Sequence, residues 1–171
     1  MKKIIASIFA FAAVLSLNAA TVSGDGKAEL SSALSIVNSG FTPTGSNVTA
    51  GELDFGNIAI GTEDTKFTIN AATGALTQDV DIEDGGAKAT GGTPNAAAFK
   101  VTGTEGQTFD VALGDPTAAS AQGTSLTLTK SYDPNLASGG NQVNVGGELT
   151  VPSTANPGSV AYTFNVVVNY N

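Results

Sequence analysis

The 171-residue chain has no cysteine, no histidine and no tryptophan, and each absence removes a class of function. Without an imidazole or a thiolate there is no Ser-His-Asp triad, no thiol nucleophile and no ordinary zinc site. Aromatic residues make up only 6% of the chain, so a carboxylate pair would lack the aromatic platforms that usually line a glycosidase cleft. The composition therefore reads as a non-enzyme with no cofactor. No disulfide can constrain the unfolded state, which leaves core burial and strand pairing to supply the stability. Basic side chains are scarce too. Beyond residue 20 there are five lysines (Lys27, Lys66, Lys88, Lys100, Lys130), no arginine and fifteen acids, a formal charge of −10. Nucleic acid and anionic membranes are poor partners for such a surface, because both are held by basic groups.

What is present begins with a leader. Lys2 and Lys3 precede an apolar run from Ile4 to Leu17, and small residues follow at Ala19 and Ala20, the layout of a secretory signal peptide. The run falls short of the roughly 20 residues needed to span a bilayer. Residues 1–20 are read as a signal peptide cut after Ala19 or Ala20, although neither position has a small residue three places before the cut. No cysteine follows the run, which excludes a lipid-anchored lipoprotein. The remainder, about 151 residues, is enough for one domain with a sizeable core.

Apolar residues in that remainder recur with a period near two, never 3.6. Leu53, Phe55, Ile58 and Ile60 mark a first core strand bent at Gly56, since an internal glycine marks a bulge or bend. Phe67 and Ile69 mark a second, and Ala71–Ala75 reads as a turn into Leu76, Val80 and Ile82. Phe99 and Val101, a tight turn at Gly103–Gly106, and Phe109, Val111 and Leu113 read as a hairpin. Leu126 and Leu128 follow, then a loop over Tyr132–Asn141, then Val143, Val145, Leu149 and Val151 around Gly146-Gly147. Seven or eight short strands with no helix-length segment between them predict an all-β, immunoglobulin-like antiparallel β-sandwich.

The strongest pattern lies at the end of the chain. Gly158, Val160, Tyr162, Phe164, Val166, Val168 and Tyr170 fall on alternate positions, so they share one face of a strand. Ser159, Ala161, Thr163, Asn165, Val167 and Asn169 make the other face mostly polar. With a glycine fourteenth from the end and a penultimate tyrosine, this resembles the terminal strand of chaperone-usher fimbrial (pilin) subunits. The stretches L-D-F-G-N-I (53–58), F-K-V-T-G (99–103) and V-G-G-E-L-T-V (145–151) widen the resemblance to a family of small secreted bacterial β-domains without assigned function. Many fimbrial subunits carry a disulfide near the start of the domain, and this chain has none.

The resemblance implies an incomplete sandwich that borrows a strand. Ala28, Leu30, Ser32, Leu34 and Ile36 alternate with mostly polar neighbours, as a donor strand requires: side chains fill a groove while the backbone pairs with its edges. Residues 21–39 are thus read as a donor-strand extension and 40–171 as the sandwich. The expected partners are identical subunits, a periplasmic chaperone and an outer-membrane usher, with export through the periplasm to a surface fimbrium and a supporting role in adhesion. Two rivals remain: a monomeric secreted binding domain whose extension folds back into its own groove, and a matrix or sheath fibre subunit that needs no usher.

Two further segments have simpler readings than a site. Asp79, Asp81, Glu83 and Asp84 could offer oxygens to calcium, yet the first three alternate with Val80 and Ile82 as a solvated strand face would, and the EF-hand glycine is out of register. No metal is assigned. In the Tyr132–Asn141 loop, Asp-Pro and Gly-Gly are turn chemistry.

Overall fold

The computed structural model describes residues 34–171 and the backbone of Ala19–Ser23. The described strands are β1 (Ala19–Ser23), β2 (Ser35–Val37), β3 (Val48–Ala50), β4 (Asn57–Ala59), β5 (Thr65–Ile69), β6 (Leu76–Gln78), β7 (Lys88–Gly91), β8 (Ala96–Thr102), β9 (Phe109–Leu113), β10 (Thr117–Ser120), β11 (Ser125–Tyr132), β12 (Asn141–Val151), β13 (Ala161–Thr163) and β14 (Asn165–Tyr170). The described helical structure is a single 3-10 turn, Ile82–Asp84. The all-β expectation holds, in the form of a β-sandwich.

One layer is built on β12. Along one edge it pairs with β11 from Ser125 to Tyr132. Along the other it pairs first with β8 and then with β5. The change of partner falls at Gly146 and Gly147, where an added Cβ would lie 2.2 Å from the Ile69 carbonyl oxygen or 2.5 Å from that of Thr127. The glycine pair therefore lets one 11-residue strand run past a crowded junction without breaking. β6 adds to β5, and β2 and β3 both pair with β8, the latter in parallel. The second layer is β1-β14-β9, continued by β13 paired with β10.

Between the layers lies a core of inward-facing residues. Leu34, Ile36, Phe99, Val111, Val143, Val166 and Val168 are fully buried, and Phe99 meets Phe164 edge-on with ring centroids 6.2 Å apart. Each such side chain contributes about 1.5–3 kcal/mol on leaving water. A satellite cluster forms around Phe67, Leu149 and Val151. β5 shows the alternation directly: Thr65, Phe67 and Ile69 are buried while Lys66 is exposed.

Several local expectations change. The hairpin expected across Gly103–Gly106 does not form, because β8 belongs to the β12 layer and β9 pairs with β14. Both strands need an inward face, and placing them in opposite layers buries both against each other's sheets. Of the strand expected over Leu53–Ile60, Asn57–Ala59 forms β4. The bend at Gly56 is present, with φ +73° and its N–H donated to Asp54 Oδ1 at 2.8 Å. Tyr132 and Asn141 are strand residues, so the loop is 133–140. The acidic Asp79–Asp84 segment is not a strand face: Ile82–Asp84 turns as 3-10 helix, and Asp79 Oδ1 accepts the Lys66 N–H at 2.6 Å. Among the described residues no cluster of acids is arranged to hold a metal ion.

Candidate functional site

The terminal arm is one alternating face cut into two halves. In β14, Val166 and Val168 are fully buried while Asn165 is exposed. Tyr170 packs against the main core, and its Oη accepts the Thr104 N–H at 2.8 Å. That hydroxyl sits where a Gly103 side chain would be, 2.3 Å from the position of an added Cβ. The penultimate tyrosine thus ties the end of β14 to the crossover between layers, and Gly103 is required for it. Phe164, 8% exposed, stands at the break between β13 and β14.

The other half of the arm lines a cleft. Tyr162 is half-buried and donates its hydroxyl to the Thr124 carbonyl oxygen at 2.6 Å. Val160 is 38% exposed. Gly158 has φ +154° and lies beside the Gln122 side chain. These residues line a cleft of about 620 Å³ together with Leu53–Ile60, Leu126 and Leu149. A second, polar cleft of about 520 Å³ near Phe41 and Lys100 offers less, because the Gln142 side chain at its wall is already bonded to Thr44 and Asn144.

The two edges of the second layer, β1-β14-β9, are covered differently. Beyond β9, the Val111 N–H donates to Tyr132 Oη at 3.3 Å and Lys130 Nζ donates to the Val111 carbonyl oxygen. Tyr132 in turn donates to Asp110 Oδ1 at 2.6 Å, and Lys130 lies 3.7 Å from the same carboxylate. That hydrogen bond is the main reason the Asp110 carboxyl titrates below its ordinary range. Burial, then the bond to Asp110, pushes the Tyr132 hydroxyl up. Side chains from β11 thus occupy backbone groups that another strand would need, one of the ways natural edges resist pairing.

Beyond β14 the partner is backbone. β1 runs antiparallel to it, with Ala19 opposite Asn169 and Ser23 opposite Asn165. Past Ser23, no described strand pairs with the matching edge of β13.

The chain belongs to the family described as Domain of unknown function (DUF4402). The family model matches residues 46–170. No curated protein and no solved structure matches the chain. The matched region holds the arm, the cleft and the β9 clasp, whereas β1 and β2 precede it.

Of the expected acceptor residues, the structure places Tyr162, Phe164, Val166, Val168 and Tyr170 along one inward face, with Gly158 and Val160 at the cleft. Of the expected donor residues, Leu34 and Ile36 lie fully buried in this chain's own core, with Ile36 on β2 opposite Val101. Ala28, Leu30 and Ser32 lie outside the described residues. The Lys130-Tyr132-Asp110 clasp had no sequence signal, because β9 and β11 meet only through the fold.

Proposed function

We propose that the chain is a structural subunit of a surface fimbria or pilus, polymerising by donor-strand exchange and supporting adhesion. The N-terminal extension of one copy adds to the groove beside the C-terminal strand of the next. A periplasmic chaperone holds that groove before an outer-membrane usher hands it on. The observation that carries the reading is the identity of the strand on β14. Its outer edge is paired with Ala19–Ser23, the stretch at which the leader is expected to be cut. Cleavage there takes Ala19, or both alanines, out of a five-residue strand, and leaves the edge of a packed core with three or four residues of its own to cover it. Unpaired edges next to apolar surface recruit another strand.

The burial of Leu34 and Ile36 favours a second reading, a monomeric secreted immunoglobulin-like binding domain whose extension serves its own fold. Deleting residues 21–33 separates the two while leaving β2 intact. The fibre reading predicts that the deleted chain folds, shown by a cooperative thermal transition, yet forms no fibres under the electron microscope where the undeleted mature chain does. Identical behaviour of the two chains would reject it.

A further inference from the structure

The chain has two Asp–Pro bonds, Asp115–Pro116 and Asp133–Pro134, and the fold surrounds them differently. An Asp–Pro bond is the peptide bond most easily broken by acid. The carboxylate can close a ring onto its own carbonyl carbon, and the proline nitrogen, part of a tertiary amide, leaves readily once protonated. Asp133 and Pro134 are both exposed, so solvent protons reach that bond. Asp133 Oδ1 accepts the Asn135 N–H at 2.9 Å and Asn135 Nδ2 at 3.0 Å. A side chain bonded to the N–H two residues on is folded forward over the intervening backbone, and here that backbone is the Asp133–Pro134 peptide. The carboxylate is thereby held beside the carbon it would attack, which removes part of the cost of reaching a reactive geometry. The same two bonds hold the Asp133 carboxyl below its ordinary titration range, so it stays ionised and nucleophilic as the solvent turns acid. No described residue bonds Oδ2, which leaves that oxygen to attack.

The carbonyl is prepared as well. Asn141 Nδ2 donates to the Asp133 carbonyl oxygen at 2.9 Å and to that of Asn135 at 2.7 Å, while Asn141 Oδ1 accepts the Ala137 N–H at 2.8 Å. That last bond fixes which end of the amide faces Asp133. A donor already aimed at the carbonyl oxygen stabilises the negative charge that grows there when the carbon is attacked. Beyond the bond, the Pro134 carbonyl oxygen accepts the Phe109 N–H at 2.9 Å, which pins the leaving side to the start of β9. Asp115 is exposed too, yet among the described residues none bonds its carboxylate or its carbonyl oxygen.

We propose that Asp133–Pro134 is a self-cleavage site, at which the Asp133 carboxylate, aided by the Asn141 amide, opens the chain between β11 and β12 in mild acid. Asp133 Oδ2 forms a bond to its own carbonyl carbon, the C–N bond to Pro134 breaks, and the proline nitrogen leaves with a proton taken from solvent. The cyclic anhydride left at Asp133 then adds one water, giving a C-terminal aspartate on one fragment and Pro134 as the amino terminus of the other. The sum is a hydrolysis, with no oxidant or reductant. The two fragments stay together, because β11 remains paired with β12 from Ser125 to Tyr132.

The second Asp–Pro bond is an internal control. The mature chain is held at the most acid pH at which circular dichroism still shows the native sheet, beside the same chain in urea at that pH, until the urea sample is cut, and fragments are read by mass spectrometry. The ratio of cutting after Asp133 to cutting after Asp115 is predicted to be at least about tenfold higher in the folded chain than in urea. Asn141→Ala should bring the folded ratio down toward the urea value, and Asp133→Ser, which keeps a turn-forming oxygen but no carboxylate, should not be cut at that position. A folded ratio equal to or below the urea ratio overturns the proposal, as does a folded chain left uncut. So does an Asn141→Ala chain that folds and is cut after residue 133 at the unaltered rate. If that variant does not fold, the unaltered chain in its two states decides.

Discussion

Single residues in this sandwich have consequences that burial alone would not rank. Phe99 is a core residue of the expected kind, fully enclosed and edge-on to Phe164, and Phe99→Ala is expected to cost about 3–5 kcal/mol in urea denaturation. Gly103 matters because of what occupies its missing side chain. A Gly103→Ala methyl would overlap the Tyr170 hydroxyl and is expected to cost about 1–3 kcal/mol, less in a Tyr170→Phe background. Tyr132→Phe removes the acceptor for the Val111 N–H and the donor to Asp110, for a loss near ~1 kcal/mol at neutral pH. The Asp110 carboxyl titrates lower in the folded state than in the unfolded one. Its contribution is therefore present above the unfolded carboxylate pKa and lost as pH falls through the lowered value. The stability gap between wild type and Tyr132→Phe should narrow on acidification, as read from denaturation midpoints across pH. A gap that stays constant would show that Asp110 has no part in the clasp.

At the scale of elements, the two edges of the β1-β14-β9 layer differ in what covers them, side chains of β11 beyond β9 and the backbone of β1 beyond β14. If the clasp keeps strands off β9 and the proposed fibre forms, then Lys130→Ala combined with Tyr132→Phe should give irregular, branched aggregates and the unaltered mature chain unbranched fibres, seen by electron microscopy. Much of this layer was legible beforehand. The alternation from Tyr162 to Val168 has period two over enough residues to fix extended backbone and inward face, and in the β12 layer the turn read at Ala71–Ala75 does connect β5 and β6. What sequence could not supply was the partner of each strand. Phe99–Val101 and Phe109–Leu113 look like two arms of a hairpin locally, yet the choice between pairing and crossing to the other layer depends on β12 and β14, far away in the chain. Leu34 and Ile36 show the same limit. Their alternation marks an inward-facing strand correctly, but alternation is identical whether the core being filled is the chain's own or a neighbour's.

For the whole molecule, charge and completion act against each other. The portion beyond residue 20 has five lysines against fifteen acids, so copies that exchange strands first have to approach through mutual repulsion. Raising ionic strength from about 0.01 M to about 0.15 M shortens the screening length from roughly 30 Å to roughly 8 Å, and assembly should accelerate accordingly, as followed by turbidity. In the proposed fibre each copy offers one strand and accepts another, so the contact is heterologous and does not close on itself. The most direct test is sedimentation of the mature chain over a wide concentration series. The account predicts an open-ended ladder of species that lengthens with concentration, and a single monomer at every concentration would contradict it.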